Sequence, residues 1–369
     1  SLQKEAKALC REYKSIITKK LNPVPADITP MEIELTGEWG SKSDQQPPRQ
    51  QSRLKTVEIK EQVDKMLKAF IIAEGLAAAH SQVMMTVKPN GTWRFCIDYR
   101  RLNVITKPNN YPLPNIKDTL NRIGEKKPKY FAVIDLTKGF YQAPLAESSK
   151  HLTTFITPFG KYQWNRVAMG LTGAPSYFQR AMADEVLHGL VRKICEVYLD
   201  DIIIYGRTEE EFLANLETVL VRLKEKNITI NPDKCQIGLT SIEYVGHVID
   251  ETGLSFSKEK IAKVINMATP ITTSDLKIYV GVVGYFRAHC KNMSARMAPL
   301  NNLLEGYNKK VKVRIDWDKH PQAMAAFNDT KQMINDIPKL FFIDEHSPVH
   351  MCTDASKKGI GVYLYQLVI

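Results

Sequence analysis

Asp200 and Asp201 lie side by side between two apolar runs, Ile194-Cys195-Glu196-Val197-Tyr198-Leu199 and Ile202-Ile203-Ile204-Tyr205. Two apolar strands joined by two acids make a tight hairpin with both carboxylates at its tip. An Asp-Asp turn on its own reads as a solvated surface turn. Here the flanking strands read as buried on both faces, which leaves the acids at the edge of a core. Neighbouring carboxylates repel and raise each other's pKa unless a cation neutralises them, so the pattern points to a metal site. A third acid, Asp135, ends another apolar run, Tyr130-Phe131-Ala132-Val133-Ile134. If that strand lies beside the hairpin, three carboxylates converge at one sheet end. Hard divalent ions such as Mg²⁺ take oxygen ligands and keep room for substrate phosphates. Two such ions can activate a primer 3′-hydroxyl and stabilise the leaving pyrophosphate, which is metal-assisted nucleotidyl transfer. It needs no catalytic Ser or His, and no nucleophilic triad is evident.

The elements that must position these acids follow from periodicity and turn chemistry. Residues 2–21 read as a basic amphipathic helix, followed by a Pro-rich stretch to Pro30. Ser41 to Ser52, with Gln45-Gln46-Pro47-Pro48-Arg49-Gln50-Gln51, reads as a flexible crossing. A helix is expected over Lys55–Glu74. Val83–Val87 and Trp93–Ile97 flank Asn90-Gly91, whose tolerance of positive φ suits a type I′ hairpin. A second hairpin is expected between Thr153–Thr157 and Tyr162–Val167. Helical patterns then occupy Pro175–Leu190 and Thr208–Lys226, the latter opened by a capping box of Thr208 and Glu211. Short strands near 228–230 and 244–249 and helices near 258–268 and 275–289 follow. Strands and helices interleave irregularly without a repeat, so the fold class is α+β with several subdomains.

The totals narrow the partners. The 369 residues are 44% apolar, enough for two or three cores. No run of eighteen apolar residues occurs, so no membrane-spanning helix is expected. The net charge of +11 favours a polyanionic partner, since neutralised phosphates release counterions. The cysteines (Cys10, Cys96, Cys195, Cys235, Cys290 and Cys352) are dispersed and form no C-x-x-C pair, which fits a reducing intracellular setting. His346, His350 and Cys352 are close in sequence, but no second cluster at ligand spacing accompanies them. The start, Ser1-Leu2-Gln3, lacks a Met and reads as part of something longer.

The ordered set of motifs carries a resemblance. Val133-Ile134-Asp135-Leu136 with Gly139-Phe140-Tyr141-Gln142, Met169-Gly170-Leu171-Thr172-Gly173-Ala174-Pro175-Ser176-Tyr177-Phe178-Gln179, and Tyr198-Leu199-Asp200-Asp201 resemble the palm motifs of reverse transcriptases. The closest pattern is that of Ty3/gypsy-type long-terminal-repeat retrotransposons. Trp93-Arg94-Phe95-Cys96-Ile97-Asp98-Tyr99-Arg100-Arg101-Leu102-Asn103 resembles the family's fingers motif. Gly281–Arg287 through Ala298-Pro299-Leu300 resembles its thumb. The resemblance implies a right-hand polymerase built as an N-terminal helix and linker (1–54), fingers (55–128 with 145–166), palm (129–144 and 167–245) and thumb (246–310). Residues 311–369 would be a connection or the truncated start of an RNase H-like domain.

Roles are implied position by position. Asp135, Asp200 and Asp201 would hold two Mg²⁺ ions, with Mn²⁺ as the alternative. Arg94 and Lys88 would reach the incoming triphosphate. Phe140 would lie under the sugar and clash with a 2′-hydroxyl, selecting dNTPs. Met169 would contact the nucleotide; here Ala168-Met169-Gly170 replaces the usual Pro-Phe-Gly or Pro-Gln-Gly. Tyr244, Val245, Gly246 and His247 would form the primer grip. Leu76-Ala77-Ala78-Ala79-His80 replaces a stretch usually richer in Pro and Ser. Val349–Ser356, where Asp354 would be the first RNase H acid, lacks the later carboxylates of that site, so RNA cleavage is not expected of this chain alone. The implied partners are an RNA template, a DNA primer or RNA/DNA hybrid, and dNTPs; a homo-oligomer is open, and the setting is cytoplasmic (including virus-like particles) or nuclear. An RNA-dependent RNA polymerase is disfavoured by Phe140, and a captured, non-catalytic nucleic-acid-binding module by the intact acids.

Overall fold

The computed structural model describes residues 1–88, 91–308, 311, 313–342, 347–356 and 359–367. The chain divides into two compact units, Ser1–Thr240 and Ser241–Ile369.

In the first unit, α1 (Leu2–Glu12) is followed by α2 (Arg53–Lys68) and the strands β1 (Ile72–Glu74), β2 (Ser81–Val87) and β3 (Trp93–Asp98). Then come α3 (Arg100–Val104), α4 (Ile116–Glu125), β4 (Tyr130–Asp135), α5 (Glu147–Lys150), β5 (Phe155–Thr157), β6 (Gly160–Trp164) and α6 (Ala174–Arg180). The unit closes with β7 (Cys195–Tyr198), β8 (Asp201–Gly206), α7 (Glu209–Glu225) and β9 (Gln236–Leu239). One sheet runs β1-β6-β5-β2-β3 and a second runs β7-β8-β4-β9. The β2–β3 hairpin pairs Val87 with Trp93; Asn90 of its turn lies outside the described residues, and Gly91 takes φ +78°. In the second sheet β4 and β8 are buried almost end to end, as their Val/Ile-rich runs require.

Several sequence expectations are corrected. The first helix ends at Glu12 rather than residue 21, because the chain beyond it bonds elsewhere: Ile17 bridges Ile230, and the Thr18 amide donates to the Ile230 carbonyl at 2.9 Å. The Lys55–Glu74 helix stops at Lys68, since Ile72–Glu74 pair with Tyr162–Trp164 as strand β1. Residues 41–52 are anchored, not a free crossing. Asp44 is buried and ion-paired to Arg101 at 2.9 Å, and both ring nitrogens of His80 lie within hydrogen-bond distance of the Ala78 and Gln46 carbonyls. After α6 the helix continues as a π-turn over Ala181–Val186. Thr208 caps α7 by accepting from the Glu211 amide, but the Glu211 carboxylate turns to the Arg207 amide instead of completing the box. Within 228–230 only Ile230 pairs, in isolated bridges to Ile17 and Leu136 rather than as a strand.

The second unit holds β10 (Ser241–Tyr244), β11 (His247–Asp250), β12 (Gly253–Ser255), α8 (Lys258–Ile265), α9 (Thr273–Gly284), α10 (Met293–Asn302), α11 (Pro321–Asn335), β13 (Leu340–Phe341), β14 (His350–Ser356) and β15 (Gly359–Tyr365). The expected strand over 244–249 is in fact interrupted by a two-residue turn at Val245-Gly246. Its core joins Leu276, Tyr279 and Val283 of α9 to Met297 and Leu300 of α10 and Phe327 and Ile334 of α11. The β14–β15 hairpin leaves Met351, Ile360, Val362, Tyr363 and Leu364 exposed.

Candidate active site

Asp135 closes β4 and pairs in register with Asp201, the first residue of β8; Tyr198, the last of β7, pairs with Asp201 from the other side. The strands therefore deliver Asp135 and Asp201 to one end of the sheet, and Asp200 lies in the turn between β7 and β8. The turn is forced: Leu199 takes φ +54°, the left-handed region that a γ-branched residue enters only when its surroundings hold it there. What holds it is Gln179. This fully buried side chain in α6 donates to the Val197 carbonyl at 3.1 Å and accepts from the Leu199 amide at 2.8 Å. The Asp200 carbonyl in turn accepts from the Leu136 amide at 3.3 Å, tying the turn to the end of β4.

The electrostatics follow from burial and from like charge at the sheet end. Burial, then the neighbouring charges of Asp201 and Asp135, push the Asp200 carboxyl up to about 6, against a partial offset from Lys234. Asp201 is raised by burial and by Asp135. Lys234 forms an ion pair with Asp135 at 3.1 Å. Asp200 Oδ1 is buried with no hydrogen-bond partner among the described residues, and it lies against Gly139, where any Cβ would overlap the carboxylate. A buried carboxylate oxygen without a partner is costly, and a bound cation would satisfy it. The donor set is all carboxylate, which suits a hard divalent ion. Among the described residues, no group of three His, Cys, Asp or Glu side chains is gathered closely enough to hold a metal ion, and Lys234 pairs with Asp135 instead.

The other expected residues are placed as follows. Phe140 is half-buried on the short 3₁₀ turn Gly139–Gln142, its ring edge-on to Phe178 at 5.2 Å. Met169 is 46% exposed on a loop clamped by Asn103, which donates to the Gly170 carbonyl at 2.8 Å and accepts from the Thr172 amide at 3.0 Å. Arg94 is exposed on β3 and makes no ion pair among the described residues; Lys88 continues the same hairpin, its amide bonded to the Thr92 carbonyl. Tyr244, Val245, Gly246 and His247 form the β10–β11 turn of the second unit. Asp354 is exposed on β14; His346 lies outside the described residues.

Sequence reasoning missed three supports of this site. Gln179 was noted only as the end of a motif. Gln142 is buried and bonds the Thr137 and Thr229 carbonyls and the Thr229 amide, bracing the loop that carries Gly139 and Phe140. Arg166 is buried, has no carboxylate partner among the described residues, and donates to the carbonyls of Tyr141, Gln142, Asn22 and Pro23. Through it, and through the Ala26 amide on the Gln142 carbonyl, residues of the 22–26 segment strap the loop that carries Gly139 and Phe140. A buried polar side chain inside an apolar run was the available signal for Gln179; the strap left none.

Comparison with known proteins bears on the family and the fold. Residues 86–249 match the family model described as reverse transcriptase (RNA-dependent DNA polymerase). The chain is 33% identical over 320 residues to the Retrovirus-related Pol polyprotein from transposon opus of Drosophila melanogaster, covering 84% of this chain and 31% of that protein. It is 32% identical over 282 residues to the corresponding polyprotein from transposon gypsy, covering 75% and 27%. With the transposon Tf2-3 polyprotein of Schizosaccharomyces pombe the identity is 29% over 360 residues, covering 96% and 26%. The chain thus spans less than a third of the length of these relatives. Among solved structures, the foamy viral protease-reverse transcriptase in complex with dsDNA superposes with TM-score 0.83 at 22% identity, covering 99% of this chain and 74% of that one. The same enzyme in complex with an RNA/DNA hybrid gives 0.83 at 22%, covering 99% and 48%. The α+β fold is that of a right-hand polymerase, and the chain belongs to the reverse transcriptases, the RNA-directed DNA polymerases of long-terminal-repeat retrotransposon Pol polyproteins.

Proposed function

We propose that this chain extends a primer 3′-hydroxyl with dNTPs on an RNA or DNA template, with Asp135, Asp200 and Asp201 as the ligands of two Mg²⁺ ions. The observation that carries the reading is the delivery of all three carboxylates to one sheet end, with Asp200 Oδ1 left buried and unpartnered among the described residues. Divalent ions bound there supply activation of the 3′-hydroxyl and neutralisation of the leaving pyrophosphate. The chain's own groups do the rest. The β4–β8 register sets the spacing of Asp135 and Asp201, and Gln179 fixes the turn that aims Asp200. Arg94 and Lys88 offer cations to the triphosphate from the fingers hairpin. Phe140, backed by Phe178, excludes a 2′-hydroxyl, and Asn103 holds the Met169 loop against the nucleotide. Tyr244 to His247 grip the primer. Residues 55–128 with 145–166 act as fingers, 129–144 and 167–245 as palm, and 246–310 as thumb. The net charge and the nucleic acids bound by the foamy viral enzyme support a primer–template duplex or hybrid as partner. The dispersed free thiols support an intracellular setting.

The test is primer extension on an RNA template with dNTPs and Mg²⁺, comparing the wild type with Asp200→Asn. Extension that disappears in the variant is expected. Binding of the primer–template without extension in either Mg²⁺ or Mn²⁺ would sink the reading and leave a captured binding module. Preferred incorporation of ribonucleotides would assign an RNA polymerase instead.

A further inference from the structure

The β10–β11 turn has a backbone that its sequence does not favour. Both central residues lie at positive φ, Val245 at +47° and Gly246 at +76°, as in a type I′ turn. Such a turn prefers Asn-Gly, and a β-branched residue in the left-handed region is strained. Two side chains from helices of the same unit hold it. The Tyr285 hydroxyl, just beyond α9, donates to the Val245 carbonyl at 3.2 Å and lies 3.3 Å from His247 Nδ1. Lys260 donates its ammonium to the Gly246 carbonyl at 3.0 Å, against the face of Gly246 that a Cβ would occupy. The same ammonium lies over the Tyr285 ring at 3.8 Å and the Phe256 ring at 5.4 Å. Lys260 is the third residue of α8, where the helix dipole disfavours a cation, so its position is set by the turn and not by the helix. With both carbonyls tied inward, no hydrogen bond from the Val245 or Gly246 amide is present among the described residues.

We propose that Lys260 and Tyr285 are positioning residues that latch the Val245-Gly246 turn so that its amide face is presented to the phosphodiester backbone at the primer terminus. This rests on the reading of Tyr244–His247 as a primer grip and names what fixes it. Neither residue is assigned a contact with nucleotide or metal. Because both act on one two-residue turn, their effects should not add.

The experiment uses the full chain with Tyr285→Phe, which removes only the hydroxyl, Lys260→Met, which keeps the stem without the ammonium, Lys260→Arg, and the Tyr285→Phe/Lys260→Met double variant. Single-turnover extension is measured beside equilibrium binding of the primer–template, and a Val245→Cys background reports disulfide cross-linking to primers carrying a tethered thiol at successive phosphates. We expect each single variant to slow extension about tenfold while primer–template affinity changes less than threefold. The double variant should be no slower than the worse single, Lys260→Arg should recover most of the rate, and cross-linking should spread from one phosphate to its neighbours. Unchanged extension with unchanged cross-linking register would overturn the latch. A parallel loss of affinity and salt dependence in Lys260→Met would also overturn it, because Lys260 would then be a direct phosphate contact. If Val245→Cys cross-links no primer position above the unmodified chain while extension remains intact, the grip reading itself fails, whatever the other variants do.

Discussion

At the scale of single residues, Asp200, a proposed metal ligand, carries a cost in stability. Its carboxyl, raised by burial to about 6, is higher in the folded chain than the ordinary value near 3.8, so ionising it opposes folding. The penalty is absent below about pH 4, grows as pH rises through 6, and is complete above that. Asp200→Asn should therefore stabilise the metal-free protein at pH 7.5 by about 2 kcal/mol, with the gain vanishing as pH falls toward 4. Thermal unfolding across that range measures it. Adding millimolar Mg²⁺ should raise the wild-type midpoint and leave the variant's unmoved, while extension by the variant falls at least about a thousandfold. A gain that persists at pH 4 would show that Asp200 is not the titrating group. Phe140→Ala tests nucleotide choice. With the ring gone, discrimination of dNTP over rNTP in kcat/KM should drop by about a hundredfold, and a ratio equal to wild type would relegate Phe140 to packing against Phe178.

At the scale of elements, the β7–β8 hairpin is only as well aimed as its turn. Gln179→Leu keeps approximate volume but strands the Val197 carbonyl and the Leu199 amide, so a stability loss of about 2–3 kcal/mol is expected. Extension should fall by more than the unfolded fraction explains, which rapid-quench kinetics at a temperature well below the transition would separate. Thr208→Ala removes the cap of α7 beyond the end of β8 opposite Asp201; it should cost about 1 kcal/mol and leave kcat unchanged. Much at this scale was legible in the sequence. The β2–β3 and β7–β8 hairpins and the strand ending at Asp135 are contiguous apolar runs with turn residues between them, and local patterns of that kind carry their own register. The helix ends were less legible. Nothing in residues 13–21 or 69–74 breaks a helical pattern; tertiary bonds to Ile230 and to β6 outbid it.

At the scale of the whole molecule, the +11 charge belongs to the entire chain and implies a binding energy that salt removes. Affinity for a primer–template should fall linearly in log–log against salt, by at least about a hundredfold between 50 and 200 mM, as fluorescence anisotropy would show. A flat profile would argue that the basic residues serve solubility instead. No helix among the described residues is long and apolar enough to cross a membrane. What the sequence determined by itself is the set of acids, the strands that carry them and the family to which their order belongs. Each of these is written in side-chain types within short contiguous windows. Only the tertiary structure decided how the acids are held and balanced. Lys234 meets Asp135 across 99 residues of chain, Arg166 holds Asn22 and Pro23 across more than 140, and Gln179, Gln142, Lys260 and Tyr285 bond largely to backbone groups. A carbonyl is the same in every residue, so its choice of partner leaves no mark in the sequence and exists only once the chain has folded.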